Sequence, residues 1–178
     1  VTTYVALLRG VNLGPHRAVA MPRLAELARG LGYDDVWTWV NSGNLVLTTP
    51  RAAATVEREV ADALEREYGT RIDVTVRSAD ELAALLGENP FPEGSPSRVT
   101  VAFLTGPAPY GLEGRIAAVA TDAEPFVVAD REVWVLYGDG IAGSRLATGF
   151  IRTVGVSATT RTLGTVTRVV AKIRTRAG

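Results

Sequence analysis

The first residues able to do chemistry lie in the stretch Arg9-Gly10-Val11-Asn12-Leu13-Gly14-Pro15-His16-Arg17. It leaves an apolar run, Val5-Ala6-Leu7-Leu8, and leads towards a helix start at Pro22. Backbone N–H groups and the helix dipole at such a place favour an anion. Arginine adds a forked donor that suits phosphate or carboxylate. Neither the Gly-x4-Gly-Lys-Ser/Thr phosphate loop nor the dinucleotide fingerprint is present, so a structured connector explains the same pattern. A second group is Asn41-Ser42-Gly43-Asn44. Gly43 can supply the positive φ of a tight hairpin and the asparagines can bond their own backbone. The functional alternative is that Ser42 and Asn44 present polar groups beside the first loop. A third is Thr159-Thr160-Arg161-Thr162, two hydroxyls and a guanidinium just ahead of a helix. It reads either as an oxyanion site or as a helix N-cap with a solvated arginine.

Three further patterns carry alternatives of their own. Arg168, Lys172 and Arg176 recur at i, i+4 and i+8 opposite a valine stripe. That row suits nucleic-acid phosphates or a plain solvated helix face. Trp37 and Trp39 flank Thr38 and so share one face of a strand. Such a pair suits base stacking or core packing, and the aromatic-rich RNP1 pattern is missing from Ser42 to Thr49. Glu57, Glu59, Asp62, Glu65 and Glu67 share a helix with Arg58 and Arg66, which reads as a solvated, ion-paired face. Acid–base candidates are few: His16, whose titration range fits a general base, Tyr137 and Asp139.

The elements that must position these residues follow from periodicity. Val5 to Leu8 reads as a buried strand, and Leu24, Leu27, Ala28 and Leu31 as one helix face closed near Gly32. Val36 to Val40 and Leu45 to Thr48 read as a hairpin. Val56, Val60, Ala63 and Leu64 mark a second helix ending at Gly69, and Ile72 to Arg77 alternates as a half-buried strand. Ser78-Ala79-Asp80-Glu81 is a capping box for a linking helix, and Asn89 to Pro96 is a rigid linker. The order then returns: Val101-Ala102-Phe103-Leu104-Thr105-Gly106 echoes Val5 to Gly10. A helix stripe at Leu112, Ile116, Val119 and Ala120 follows, then strands at 125–129 and 133–137. Ser144 caps a helix carrying Leu146, Phe150 and Ile151, Val156 to Thr160 is a weak extended segment, and a last helix buries Val166, Val169, Val170 and Ile173. The reading is an α+β tandem of two ferredoxin-like (βαββαβ) halves, 1–77 and 98–178, with a linking helix and Pro-rich linker over 78–97.

Composition narrows the chemistry. The chain has 178 residues, 47% of them hydrophobic, enough to bury about 70% of its unfolded surface without a staple. It has no cysteine, which excludes disulfides, thiolate nucleophiles and Cys-based metal sites. A single histidine excludes His-rich metal sites, and restricts a Ser–His–Asp arrangement to its own surroundings. No metal and no cofactor is expected. No run reaches a membrane span and no signal pattern is present, so a soluble, cytoplasmic protein is expected. The net charge is zero, but residues 1–25 and 140–178 carry ten cations and no acid, and the middle sums to −10. That separation hints at an anionic partner or at ends that balance the middle of the same chain.

Tyr4 to Gly14, Met21-Pro22-x-Leu24, Val40 to Val46, Asn89-Pro90-Phe91 and Tyr137 to Ile141, with Ser144 and Leu146 beyond, together resemble the bacterial domain-of-unknown-function family numbered 1697. The resemblance implies two ferredoxin-like halves and brings no established activity. It marks Arg9, Asn12, Ser42, Asn44, Thr159 and Arg161 as motif positions. One departure follows Ala158-Thr159-Thr160-Arg161, where the family tends to place Asn-Trp and another polar residue before Thr-Val. Here Thr162, Leu163 and Gly164 precede Thr165-Val166, which removes an aromatic and an amide donor. The expectation is a cleft between the chain ends that binds a small phosphate-bearing or nucleotide-like anion through Arg9, Asn12, Ser42, Asn44, Thr159, Thr160 and Arg161. Pairing with a protein through a sheet face or edge, nucleic-acid binding through the last helix, and an enzyme acting on a phosphorylated substrate are the alternatives.

Overall fold

Tyr4 to Leu8 is apolar without alternation, the signature of a strand buried on both faces, and it lies in one of the two inner strands of a four-stranded sheet. The computed structural model describes residues 1–15 and 17–178. They divide into two compact units, Val1–Ala84 and Leu85–Gly178. The fold is α+β, with two four-stranded antiparallel sheets and seven helices among the described residues.

The first unit holds β1 (Thr2–Leu8), α1 (Met21–Gly30), β2 (Asp34–Trp39), β3 (Asn44–Thr49), α2 (Ala53–Tyr68) and β4 (Val74–Ser78), with strand order β2-β3-β1-β4. Leu24 and Ala28 of α1, and Val56, Val60 and Leu64 of α2, pack with Tyr4, Ala6, Leu8, Leu45, Leu47, Val74 and Val76. On the opposite face of the same strands, Val5, Leu7, Asn44, Val46, Thr75 and Arg77 are buried as well. Helix α3 (Ala79–Gly87) follows β4 directly. Its capping box forms as the sequence implies: Glu81 N–H donates to Ser78 Oγ at 3.1 Å, and Ser78 N–H to Glu81 Oε2 at 2.7 Å.

The second unit holds β5 (Val99–Leu104), α4 (Leu112–Ala117), β6 (Phe126–Val128), β7 (Glu132–Leu136), α5 (Arg145–Thr148), α6 (Phe150–Val154), β8 (Ala158–Thr162) and α7 (Leu163–Ala177), in order β6-β7-β5-β8. The segment expected as one helix after Ser144 is two short ones, because the chain leaves helical geometry at Gly149. Ser144 does cap the first, accepting from Ala147 N–H. The weak segment at 156–160 is a full strand shifted to 158–162, paired along β5 from Thr100↔Thr162 to Leu104↔Ala158.

The two sheets agree in register. Val5 pairs with Arg77 in the first and Val101 with Arg161 in the second, and Leu7↔Thr75 matches Phe103↔Thr159. Both arginines donate from Nη1 to the carbonyl of the preceding residue, at 3.0 Å in each case. Past the first strand, Arg9 N–H donates to Asp73 O as Thr105 N–H does to Ser157 O.

The acidic face of α2 forms ion pairs, but with other elements. Glu59 meets Arg51, Glu67 meets Arg23, and Asp62 and Glu65 both meet Arg71, while Arg58 and Arg66 form no close ion pair among the described residues. No helix is long and apolar enough to cross a membrane among the described residues.

Candidate functional site

The loop after β1 is held from three directions. Arg9 continues the ladder through its N–H to Asp73 O at 2.9 Å, and its Nη1 bonds Asp73 Oδ2 at 3.0 Å. Gly10 then turns the chain with φ +63°. Asn12 adopts φ +57°, which a short amide side chain tolerates. Its amide donates to Val19 O at 2.9 Å and Asn41 O at 2.7 Å, and its carbonyl accepts from Val19 N–H at 2.8 Å. One side chain therefore closes the loop on itself and ties it to the hairpin.

The hairpin meets it from the other side. Strand β2 ends at Trp39, one residue before the expected end, because Val40 takes φ +50° and starts the turn. Asn44 is fully buried, and its amide donates to Trp39 O and Ser42 Oγ, at 2.8 and 3.1 Å. Gly43 has φ +81° and presses on the first loop. A Cβ there would lie 2.8 Å from Leu8 Cβ and 2.9 Å from Val11 Cγ2. Leu8 N–H donates to Gly43 O at 2.9 Å. So Arg9, Asn12, Ser42 and Asn44 do gather at one end of the first sheet. Asn12 spends its amide on the backbone and Asn44 divides its own between Trp39 O and Ser42 Oγ, while Arg9 and Ser42 are half-buried.

Thr159, Thr160 and Arg161 belong to β8 of the second unit. Thr160 is exposed, Thr159 is fully buried and Arg161 is 8% exposed. The arginine is not the solvated residue of the N-cap alternative, and the cap itself is Thr162, which accepts from Thr165 N–H. Burial pushes the Arg161 guanidinium down to about 10, still charged at neutral pH.

The acid–base candidates are dispersed. Tyr137 is buried, and burial together with the negative Glu124 pushes its hydroxyl up, so it stays protonated at neutral pH. Asp139 is exposed. His16 and its general-base reading lie outside the described residues. No group of three or more potential metal ligands occurs among the described residues. Trp37 and Trp39 are half-buried.

Sequence reasoning overlooked three partners. Asp73 holds Arg9. Arg77 occupies the register position of Arg161, and the triplet Thr-x-Arg at 75–77 and 159–161 was its visible signal. Glu124 is buried, accepts from Ser144 Oγ and from Thr121 N–H, and carried no local signal.

Comparison with known proteins adds a family and a fold. No curated protein matches the chain. Among solved structures it is similar to a conserved bacterial protein from Streptococcus pneumoniae, at 20% identity over 96% of this chain and 97% of that one, with a TM-score of 0.74. At that identity the likeness concerns the fold alone. The model of the family described as "Protein of unknown function (DUF1697)" matches residues 1–134, which include the Arg9 loop and the Ser42 hairpin. The chain belongs to the DUF1697 family of proteins of unknown function.

Proposed function

We propose that this protein binds a small ligand bearing an oxyanion, phosphate or nucleotide-like, through the loop after β1. Arg9 is the anchor and Ser42 a neutral donor, with Asn12 and Asn44 holding loop and hairpin in place. In the second unit Thr160 is the exposed polar group, and Thr159 and Arg161 support the strand that carries it. The observation that carries the reading is the Arg9–Asp73 pair. It is half-exposed and uses one bond at 3.0 Å, so most of the guanidinium's five donors remain for a ligand.

The shared strand order of the two sheets, and their matching register, support reading the chain as a tandem of ferredoxin-like halves, 1–77 and 98–178, joined through 78–97. Within that tandem the second half is an internal control. Its counterpart of Arg9-Gly10 is Thr105-Gly106, followed by Pro107-Ala108-Pro109-Tyr110 with no charged residue. The topology alone thus does not require an arginine there.

The test is a thermal-unfolding panel of inorganic phosphate, nucleotides, sugar phosphates and short carboxylates against wild type and Arg9→Gln. A ligand at about 100 times its Kd stabilises by about 2.7 kcal/mol, a rise of several degrees. The rise is expected in wild type and lost in Arg9→Gln. A rise that survives Arg9→Gln overturns the site, and no rise with any anion overturns the function. Arg161→Ala is the weaker probe, because a buried arginine reports on the fold first.

A second reading rests on α7, where Arg168, Lys172 and Arg176 are all exposed opposite Val166, Val169 and Val170. Three phosphate contacts would give a log–log salt slope of roughly −2 to −3 for an oligonucleotide. A flat slope, or no binding at low salt, removes it.

A further inference from the structure

Arg9 and Asp73 are joined twice. Arg9 N–H donates to Asp73 O at 2.9 Å, and Arg9 Nη1 donates to Asp73 Oδ2 at 3.0 Å. The first bond continues the sheet ladder, and the ladder does not need the second. At the same rung of the second unit, Thr105 N–H donates to Ser157 O at 3.1 Å and the Thr105 hydroxyl reaches that oxygen at 3.2 Å. Two uncharged residues close the rung there. Nor does the ion pair add much stability, since its side chains are 36% and 32% exposed. The carboxylate nevertheless stands on a fixed base: Asp73 lies between Ile72 and Val74, both buried in the core of the first unit. Arg9 Nε and Nη2 have no partner among the described residues. A guanidinium offers two forks, Nη1–Nη2 and Nε–Nη2, and a bond to Nη1 leaves the second whole.

We propose that Asp73 is the positioning residue of the Arg9 site, holding Nη1 so that the Nε–Nη2 edge is the fork that takes two oxygens of the ligand. This rests on the reading of the Arg9 loop as an oxyanion site. An acid beside such a site repels the ligand by its charge. The opposing gain is that a long, flexible side chain is ordered before the ligand arrives, which removes an ordering cost from binding. Asp73 thus acts on the anion in two ways of opposite sign, and substitution can part them. Asparagine at position 73 removes the charge and keeps an oxygen that accepts from Nη1. Alanine removes both.

The test is calorimetric titration of the full chain with inorganic phosphate and adenosine monophosphate. Wild type is compared with Asp73→Asn, Asp73→Ala, Arg9→Lys and Arg9→Gln, each first shown to be folded by its thermal unfolding. Asp73→Asn is expected to bind at least as tightly as wild type. Asp73→Ala, although it also lacks the repelling charge, is expected to bind about two- to tenfold more weakly than wild type, the cost of ordering one such side chain. Arg9→Lys keeps the charge but loses the fork, and should fall by roughly tenfold. In the ligand-free protein, nuclear magnetic resonance should find the Arg9 Nε–H ordered in wild type and Asp73→Asn and mobile in Asp73→Ala. Asp73→Ala binding as tightly as Asp73→Asn, both tighter than wild type, overturns the positioning role and leaves the Arg9 reading standing. So does an Arg9 Nε–H that stays equally ordered in Asp73→Ala. Full binding by Arg9→Lys overturns the fork in favour of bare charge. No binding of either anion by wild type, or binding that survives Arg9→Gln, overturns the Arg9 reading itself and the proposal with it.

Discussion

Asn12 does more for the candidate site than any charged residue in it, because three hydrogen bonds and a left-handed backbone meet in one side chain. Two substitutions separate those contributions. Asn12→Gly keeps the backbone and loses the bonds, and Asn12→Ala loses both. Each is expected to destabilise by about 1–3 kcal/mol, with alanine the worse by about 1 kcal/mol. Chemical denaturation measures the difference, and equal costs would show that the backbone strain is negligible. Gly43 is a second fixed point. Gly43→Ala combines φ +81° with contacts under 3.0 Å to Leu8 and Val11, and should cost about 2–4 kcal/mol. Val40 is the reverse case, a β-branched residue at φ +50° that is 46% exposed. Val40→Asn is expected to raise stability by about 1 kcal/mol. A loss there would mean that the valine touches something the strain serves.

Elements are joined by a few polar clips, and one of them sets a pH response. Tyr33, just before β2, donates to Glu59 of α2 at 2.6 Å, and Arg51 bonds the same oxygen at 2.8 Å while its guanidinium lies 5.1 Å from the Tyr33 ring centre. The Tyr33 hydrogen bond, then Arg51, holds the Glu59 carboxyl below its ordinary range. A depressed carboxylate stabilises the fold above its unfolded value of about 4.3, and that contribution is lost as pH falls through the folded value. Tyr33→Phe should therefore lower stability at pH 7 by about 0.5–1.5 kcal/mol. It should also flatten the decline below about pH 4. Glu67, depressed by Arg23, keeps its own share of that decline. Parallel pH profiles for variant and wild type would show that the clip carries no linkage. A different clip shields an edge. Glu57 of α2 accepts from Val76 N–H at 3.1 Å, which occupies a donor on the outer edge of β4 that a foreign strand would otherwise use.

At the scale of the molecule, the separation of positive ends from an acidic middle has a partly internal answer. Arg9–Asp73 and Arg23–Glu67 both join the N-terminal stretch to acids of the middle. Such half-exposed pairs are worth little each and are screened by salt. Raising salt from low to moderate is expected to lower the unfolding temperature only slightly, and a large fall would point to wider charge coupling. Although it hid the break into α5 and α6 at Gly149 and the full length of β8, the sequence carried the rest of the order of elements, the start of α3 at its capping box, the caps at Ser144 and Gly69, and the turn at Gly43. These are local matters of periodicity, hydrogen bonding to near neighbours and backbone sterics, so neighbouring residues carry the signal. It also singled out the Arg9 loop and the Ser42 hairpin, through residue types suited to anions and turns. Tertiary structure alone decided which of those polar groups remain available. Asn12 and Asn44 turn inward onto carbonyls, Arg161 and Thr159 are buried on a strand, and Arg9 meets an aspartate 64 residues away. Those outcomes depend on strand register and on partners distant in the chain, and no window of neighbouring residues contains them.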